Sequence, residues 1–291
     1  MASNLALMEF LASDDSLFHY TRTSTALEHI LPDGKLKLSL LKDTNDPREY
    51  KFKLLNLQGW SLSKKVEGFA RKAHPIFDRI LRGQCRVMCF CTNVLPEIEM
   101  ESGKVEKDQY ASNVGWNKSR MWSQYGENHH GMCLVFSRSS ILKHLKALNG
   151  AFTWQVSGHV RYMRNDRIPR SAVTLNGNQL AEDGVEKYCA QHIQGHYRDL
   201  FLTKHVDYRD EAEYRFIIAD PSNNCEFINI TTALRVVIAG DRAPKVYFRL
   251  IGELSKKYGA ECRRAYWDRG KAHLILLAPP KKPQPHGVNT Q

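Results

Sequence analysis

The sequence predicts an α+β fold with mainly antiparallel sheets. Short runs of β-branched, aromatic and cysteine residues alternate with helical periods along the chain. No glycine fingerprint of the GxGxxG type follows the first predicted strand, and no glycine-rich loop ending in Gly-Lys-Ser or Gly-Lys-Thr occurs. Rossmann and P-loop architectures are thereby disfavoured. With 42% hydrophobic and 10% aromatic residues among 291, the chain can bury a core, which excludes collagen-like, coiled-coil and wholly disordered classes.

The elements follow in order. Leu5, Leu7, Met8, Phe10 and Leu11 have helical spacing and end at Ser13-Asp14-Asp15. Leu17 to Thr21 reads as a strand. Ser24 and Thr25 are placed to cap a helix carrying Ala26, Leu27, Ile30 and Leu31, which Pro32-Asp33-Gly34 stops before a strand alternating Leu36, Leu38 and Leu40. Asn45-Asp46-Pro47 is a turn, Trp60 to Leu81 a helix, and Arg86 to Cys91 a buried strand. Thr92 to Trp116 has mixed charge and no sustained period and reads as a long loop. A short helix over Met121 to Tyr125, a strand from Met132 to Phe136 and a helix from Ser139 to Leu148 come next. Val160 to Tyr162 is a strand and Gln179 to Leu202 a helix. Tyr214 to Ile218 and Leu234 to Ile238 are β-branched strands, followed by a helix from Val246 to Tyr258 and a last strand from Leu274 to Leu277. The proline-rich end, 279–291, has the composition of a disordered tail, which leaves 1–278 as one domain.

Lys and Arg number 42 against 31 Asp and Glu, a net charge of +11 that attracts phosphate-bearing partners, although no basic run is long enough to name a nucleic-acid arm. Seven cysteines at irregular spacing argue for reduced thiols and a cytoplasmic address. The first residues do not fit a signal or transit peptide, and no run approaches the roughly 18 to 20 apolar residues of a membrane span, so no membrane partner is expected.

Metal chemistry has weak support, and no metal ligand is assigned. Cys85, Cys89 and Cys91 do not have CxxC spacing and are better explained as small thiols in a strand. Cys189, His192 and His196 share a helical face without the glutamate of an HExxH site. His129-His130 reads as a solvated loop pair. Three islands carry more weight: His19-Tyr20-Thr21; Met121 to Gly126 followed by Gly131 to Phe136; and Lys204 through Glu211, Glu213 and Arg215. In the last, period two places two acids and a base on one strand face, which is either a solvated ion-paired face or a site.

In order and wording these islands resemble a bacterial family of proteins of unknown function, DUF2971. The match runs through His19-Tyr20-Thr21, Ser39, Asn45-Asp46-Pro47-Arg48-Glu49, Cys89-Phe90, Trp122 and Tyr125, Gly131 to Phe136, Val160 and Tyr162, Lys204, and Glu211 to Arg215, about 17–240. It departs at Asp210, where the pattern has an aromatic, and in the loop 92–116. That family in turn resembles the ADP-ribosyltransferase fold, which implies a split, mainly antiparallel β core gripping NAD between its two sheets. The resemblance implies that His19 hydrogen-bonds the adenosine ribose, with Tyr20, Thr21 and Ser39 beside the cofactor. Tyr125 or Trp122 then walls nicotinamide or adenine, and Asn45, Asp46 and Arg48 line the phosphate side. Glu213 becomes the catalytic acid, Glu211 orients it or activates the acceptor, and Arg215 fixes the carboxylates or holds a pyrophosphate. Because His19 and Glu213 must reach one cofactor, this reading requires their strands to be neighbours.

The function these expectations define is an NAD-dependent ADP-ribosyltransferase with a macromolecular acceptor, RNA or DNA slightly favoured over protein by the charge. It suits a toxin or anti-phage effector restrained by an antitoxin or other regulatory partner. An NAD glycohydrolase, in which water is the acceptor, is the nearest rival. A non-catalytic nucleic-acid-binding module explains the charge but not Glu211 and Glu213.

Overall fold

The computed structural model describes residues 2–44, 46, 56–58, 64–99, 104–107, 115–148, 150–164 and 169–277. Among them, nine strands form the largest sheet: β1 (Ser16–Thr21), β2 (Ser39–Leu40), β3 (Cys85–Cys91), β4 (Met132–Ser137), β5 (Trp154–His159), β6 (Glu213–Ala219), β7 (Leu234–Ala239), β8 (Glu261–Asp268) and β9 (Lys271–Leu276). Their order is β9-β8-β7-β4-β1-β3-β6-β5, with β2 alongside β3. Every pairing is antiparallel except that of β7 with β8. Helices accompany the strands, and the fold is α+β, as the alternating pattern predicts.

The register divides this sheet. β1 pairs with β4 over its whole length, Ser16 to Thr21, and β6 pairs with β3 from Glu213↔Cys91 to Ala219↔Cys85. Between β1 and β3 only Phe18↔Cys91 is a paired position. The ladder is thus split into a half containing β1, β4 and β7 and a half containing β3, β6 and β5. A second sheet continues the latter half. Glu97–Glu99 follows β3, Arg161–Met163 follows β5 after Val160, and Thr203–His205 precedes β6; Arg161–Met163 pairs in parallel with both of the other two strands.

The expectation that the strands bearing His19 and Glu213 are neighbours is not met. β3 lies between them. The thiol-rich sequence Cys-Arg-Val-Met-Cys-Phe-Cys explains why: small and apolar side chains on both faces suit a central strand buried on either side, and Cys85, Val87, Met88, Phe90 and Cys91 are all buried. The strand order that the ADP-ribosyltransferase resemblance implies is therefore absent, although both side chains line one cleft.

Period two sorts the strand side chains into separate cores. Tyr214, Phe216 and Ile218 of β6 join Met88 and Phe90 of β3 in one, and Ile217 and Ala219 join Cys85 and Val87 in another beneath the helix Lys64–Gly83. A third, over β1, β4 and β7, collects Phe18, Tyr20, Trp116, Trp122, Val135 and Val236 under the leading helix Ala2–Ala12.

Several elements differ from the sequence reading. Ser24 does not cap: it is itself helical (φ −60°, ψ −48°) and its side chain makes no capping bond. The strand through Leu36, Leu38 and Leu40 breaks in two, because Lys35–Lys37 pairs with Phe227–Asn229 while β2 pairs with β3. The loop 92–116 contains an antiparallel pair, Glu97–Glu99 with Val105–Lys107. The helix read over Gln179 to Leu202 is three, broken at Gly184, whose φ of 84° few other residues adopt, and at His196. The strands Trp154–His159 and Glu261–Asp268 carry too many polar residues to stand out as apolar runs. The residues 279–291 lie outside the described residues.

Gly131 opens β4 where the chain passes against β1. A Cβ there would stand 2.3 Å from the Thr21 carbonyl oxygen and 2.9 Å from that of Gly126. Both obstacles are backbone and cannot swing aside. Gly131→Ala is therefore expected to cost about 1–3 kcal/mol in denaturant unfolding; an unchanged midpoint would contradict this packing.

Candidate functional site

The cleft lies where β1 and β3 part. It encloses about 260 Å³ and is lined from one side by Phe18, His19 and Tyr20 and from the other by Val87 to Cys91, Glu213 and Arg215. Tyr125, Lys204 and Glu211 close it, and Ser39, Asp43 and Thr44 stand at its rim. The volume falls just below the roughly 300–1,000 Å³ of pockets that take small ligands. A neighbouring cavity of about 360 Å³, lined by Tyr20, Thr21, Arg22, Thr25, Gln124 and Tyr125, shares Tyr20 and Tyr125 with it.

The acidic end is built by a kink. Glu211 is not on the strand, as alternation predicts, but closes the 3-10 turn Val206–Glu211. Ala212 then takes a left-handed conformation (φ 42°, ψ 56°), and Glu213 opens β6. A non-glycine residue there costs on the order of 1–2 kcal/mol. The Ala212 carbonyl is held by the Thr92 amide (3.0 Å) and hydroxyl (2.8 Å). The turn is clamped from outside by Lys118, whose ammonium donates to the Asp210 carbonyl at 2.8 Å, and by Arg120, which donates to the Asp207 carbonyl at 2.7 Å and to the Asp210 carboxylate at 3.1 Å. Asp210, the departure from the family pattern, thus has a partner at the surface.

Both carboxylates are almost fully buried, and each of their oxygens accepts a hydrogen bond. Glu213 accepts from Arg215 Nε on one oxygen and from Arg215 Nη2 on the other, both at 2.9 Å, a bidentate fork of the strong charge-assisted kind. Arg215 is anchored in turn by donating Nη1 to the Phe201 carbonyl at 2.8 Å, and the Glu213 amide donates to the Tyr162 hydroxyl at 2.9 Å. Glu211 accepts from the Tyr125 hydroxyl at 2.9 Å and from Lys204 Nζ at 2.7 Å; the same ammonium is 3.5 Å from Glu213.

These environments push two like groups in opposite directions. Burial raises Glu213, but the Arg215 and Lys204 charges outweigh it and hold the carboxyl well below its ordinary range. Burial and the Glu213 charge raise Glu211 above its ordinary value, against the pull of Lys204 and Tyr125. A carboxylate fixed as an anion beside one that more readily takes a proton is the arrangement that divides electrostatic stabilisation from acid–base work.

Across the cleft, His19 Nδ1 approaches the Cys89 carbonyl at 3.4 Å. A carbonyl only accepts, so Nδ1 carries the proton, and burial lowers the ring's pKa, leaving Nε2 as a neutral acceptor. The Cys89 thiol lines the cleft and hydrogen-bonds Glu213.

His19, Tyr20, Ser39, Tyr125, Glu211, Glu213 and Arg215 therefore converge on one cavity, and Thr21 lines its neighbour. Trp122 does not: it is fully buried, donates Nε1 to the Trp116 carbonyl at 2.8 Å and packs edge-on against Tyr20. The aromatic wall is Tyr125 alone of the two. His129 is no free loop residue but lies against Trp122 and Trp267. Asp46 is buried, while Asn45 and Arg48 lie outside the described residues. Sequence reasoning gave Lys204 no role and missed the cleft positions of Lys37, Asp43, Thr44 and Cys89. For Lys204 the signal was a lysine seven residues before an acid, too far apart to link without the turn.

The family model for proteins of unknown function, DUF2971, matches residues 121–216. That segment contains Tyr125, Lys204, Glu211, Glu213 and Arg215, and stops short of His19 and Ser39. No curated protein and no solved structure matches the chain. Among the described residues no helix is long and apolar enough to cross a membrane.

Proposed function

We propose that the protein is an NAD-dependent ADP-ribosyltransferase acting on a macromolecular acceptor, with nucleic acid favoured over protein by the +11 charge. The observation that carries this reading is the convergence of His19 with Glu211 and Glu213 on one cleft opened by a split in the sheet. NAD is the substrate. The glycosidic bond between the nicotinamide nitrogen and the ribose carbon breaks, and its electron pair neutralises the pyridinium. Positive charge then develops on the ribose. Glu213, held ionised by Arg215, faces that charge and can accept a hydrogen bond from a ribose hydroxyl. The acceptor oxygen or nitrogen attacks the sugar carbon from the other side and gives its proton to Glu211, whose raised pKa suits a base.

The neutral His19 Nε2 offers an acceptor to a ribose hydroxyl, Tyr125 an aromatic wall, and the cavity with Thr21 and Arg22 room for the rest of the dinucleotide. Such an enzyme fits a cytoplasmic toxin or anti-phage effector under an antitoxin's control. His19→Ala is expected to weaken NAD binding about tenfold, equivalent to one hydrogen bond of roughly 1.4 kcal/mol, as read by calorimetric titration. Unaltered affinity in a folded variant would remove His19 from the site, and absence of NAD binding by the wild type would remove the reading.

A further inference from the structure

We propose that Lys204 is a positioning residue of this site: its buried ammonium bridges Glu211 and Glu213 and keeps the pair charged and aimed at the cleft. Lys204 comes from Thr203–His205 in the second sheet and lines the cleft. Its Nζ lies 2.7 Å from Glu211, 3.5 Å from Glu213 and 4.4 Å from the Tyr208 ring centroid, and the residue is 8% exposed. Arg215 spends its fork on Glu213 and its remaining nitrogen on Phe201, whereas Lys204 reaches both acids. An ammonium carries three donors on a flexible stem, so one compact charge reaches both carboxylates here.

The other groups facing Glu211 do not substitute for it. Tyr125 donates one neutral hydrogen bond. The Lys118 charge acts on Glu211 as well as on Asp210, but its hydrogen bond goes to the Asp210 carbonyl. Tyr162 and Cys91 are pushed up by burial and stay neutral. Without Lys204, Arg215 stays on Glu213 and Lys118 acts on Glu211 without a hydrogen bond to it, so Glu211, the less well paired acid, would hold its proton to higher pH.

What the pair does for catalysis rests on the proposed function, but the bridge itself is testable without NAD. Protein with carbon-13 at the glutamate carboxyls is titrated by NMR as wild type, Lys204→Met and Lys204→Arg, with Glu211→Gln assigning the signal. Lys204→Met is expected to raise the Glu211 midpoint by about one pH unit or more, a tenfold rise in proton affinity, and Lys204→Arg by less. Should Lys204→Met fail to fold, the double variant Lys204→Met/Glu211→Gln removes the unpaired acid and is expected to recover folding. An unchanged Glu211 midpoint, or a double variant no more stable than the single one, overturns the assignment. A wild type that binds no NAD would sink the transferase reading and leave this titration intact.

Discussion

Replacing Glu213 with Gln is expected to lower NAD turnover about 100-fold to 1000-fold, the usual loss when one preorganised electrostatic contact to a developing charge is removed. The amide matches the carboxylate in shape and leaves an oxygen to accept from Arg215, but the negative charge that the proposed mechanism sets against the ribose is gone. Structure limits how clean this variant can be. Arg215 is 1% exposed, and its counterion disappears with the charge, so stability falls as well as rate. Circular dichroism and a denaturation curve on the same preparation separate the two, turnover being normalised to the folded fraction. A folded variant with unchanged turnover would take Glu213 out of the chemistry.

The second large effect is thermodynamic. Arg215→Met removes the guanidinium and strands Glu213 in a dry environment, a change that costs about 3–5 kcal/mol for a broken buried pair. It also reverses the pH response. In the wild type the folded carboxyl titrates below its ordinary value of 4.5, so its stabilisation is present above that pH and is lost as pH falls through the folded value. In Arg215→Met burial is opposed by Lys204 and the Cys89 thiol without the guanidinium, the carboxyl is expected to rise above 4.5, and the sign changes: acidification toward 4.5 lets the folded form take up a proton and recovers part of the loss. Denaturant unfolding at neutral pH and near pH 5, for wild type and variant, reads both features. A loss below about 1 kcal/mol, or identical pH slopes, would contradict the buried pair.

Why some of this was readable from sequence and some was not follows from the range of each interaction. Glu213 and Arg215 share a face because strand geometry is local and strictly alternating, and β3 and β6 announced themselves as apolar runs. Glu211 reaches the same cleft, yet through the left-handed Ala212, a conformation the sequence does not advertise. Trp122 lies on a six-residue helix and Tyr125 caps its C-terminal end, and only the packing of that helix against Tyr20 decides that the indole goes inward while the phenol meets Glu211. Lys204 enters the site through a parallel pairing with Arg161–Met163, a partner some forty residues away. The insertion of β3 between the strands of His19 and Glu213 is a matter of topology, which no local pattern encodes.

That insertion also explains how the cleft forms. β1 is held along β4 and meets β3 at Phe18 alone, so His19 and Glu213 both line an opening in the sheet and not a continuous ladder. The strain stored near it points the same way: Glu127, Asn128 and His129 adopt positive φ in succession between Tyr125 and β4, and the Glu127 carboxylate accepts from the Thr23 amide at 3.0 Å just beyond β1. Residues held in sparsely populated conformations persist where the surroundings over-determine them, commonly at sites.

The most direct test of the central claim incubates the purified wild type and its Glu213→Gln variant with NAD radiolabelled in the adenylate, alongside separate pools of RNA, DNA and protein. Nicotinamide release and label transfer are read together. The account predicts nicotinamide release with label on one macromolecular pool, nucleic acid before protein, and loss of both in the variant. Nicotinamide without label would make the protein a glycohydrolase, and release of neither, with NAD intact in every pool, would contradict the account.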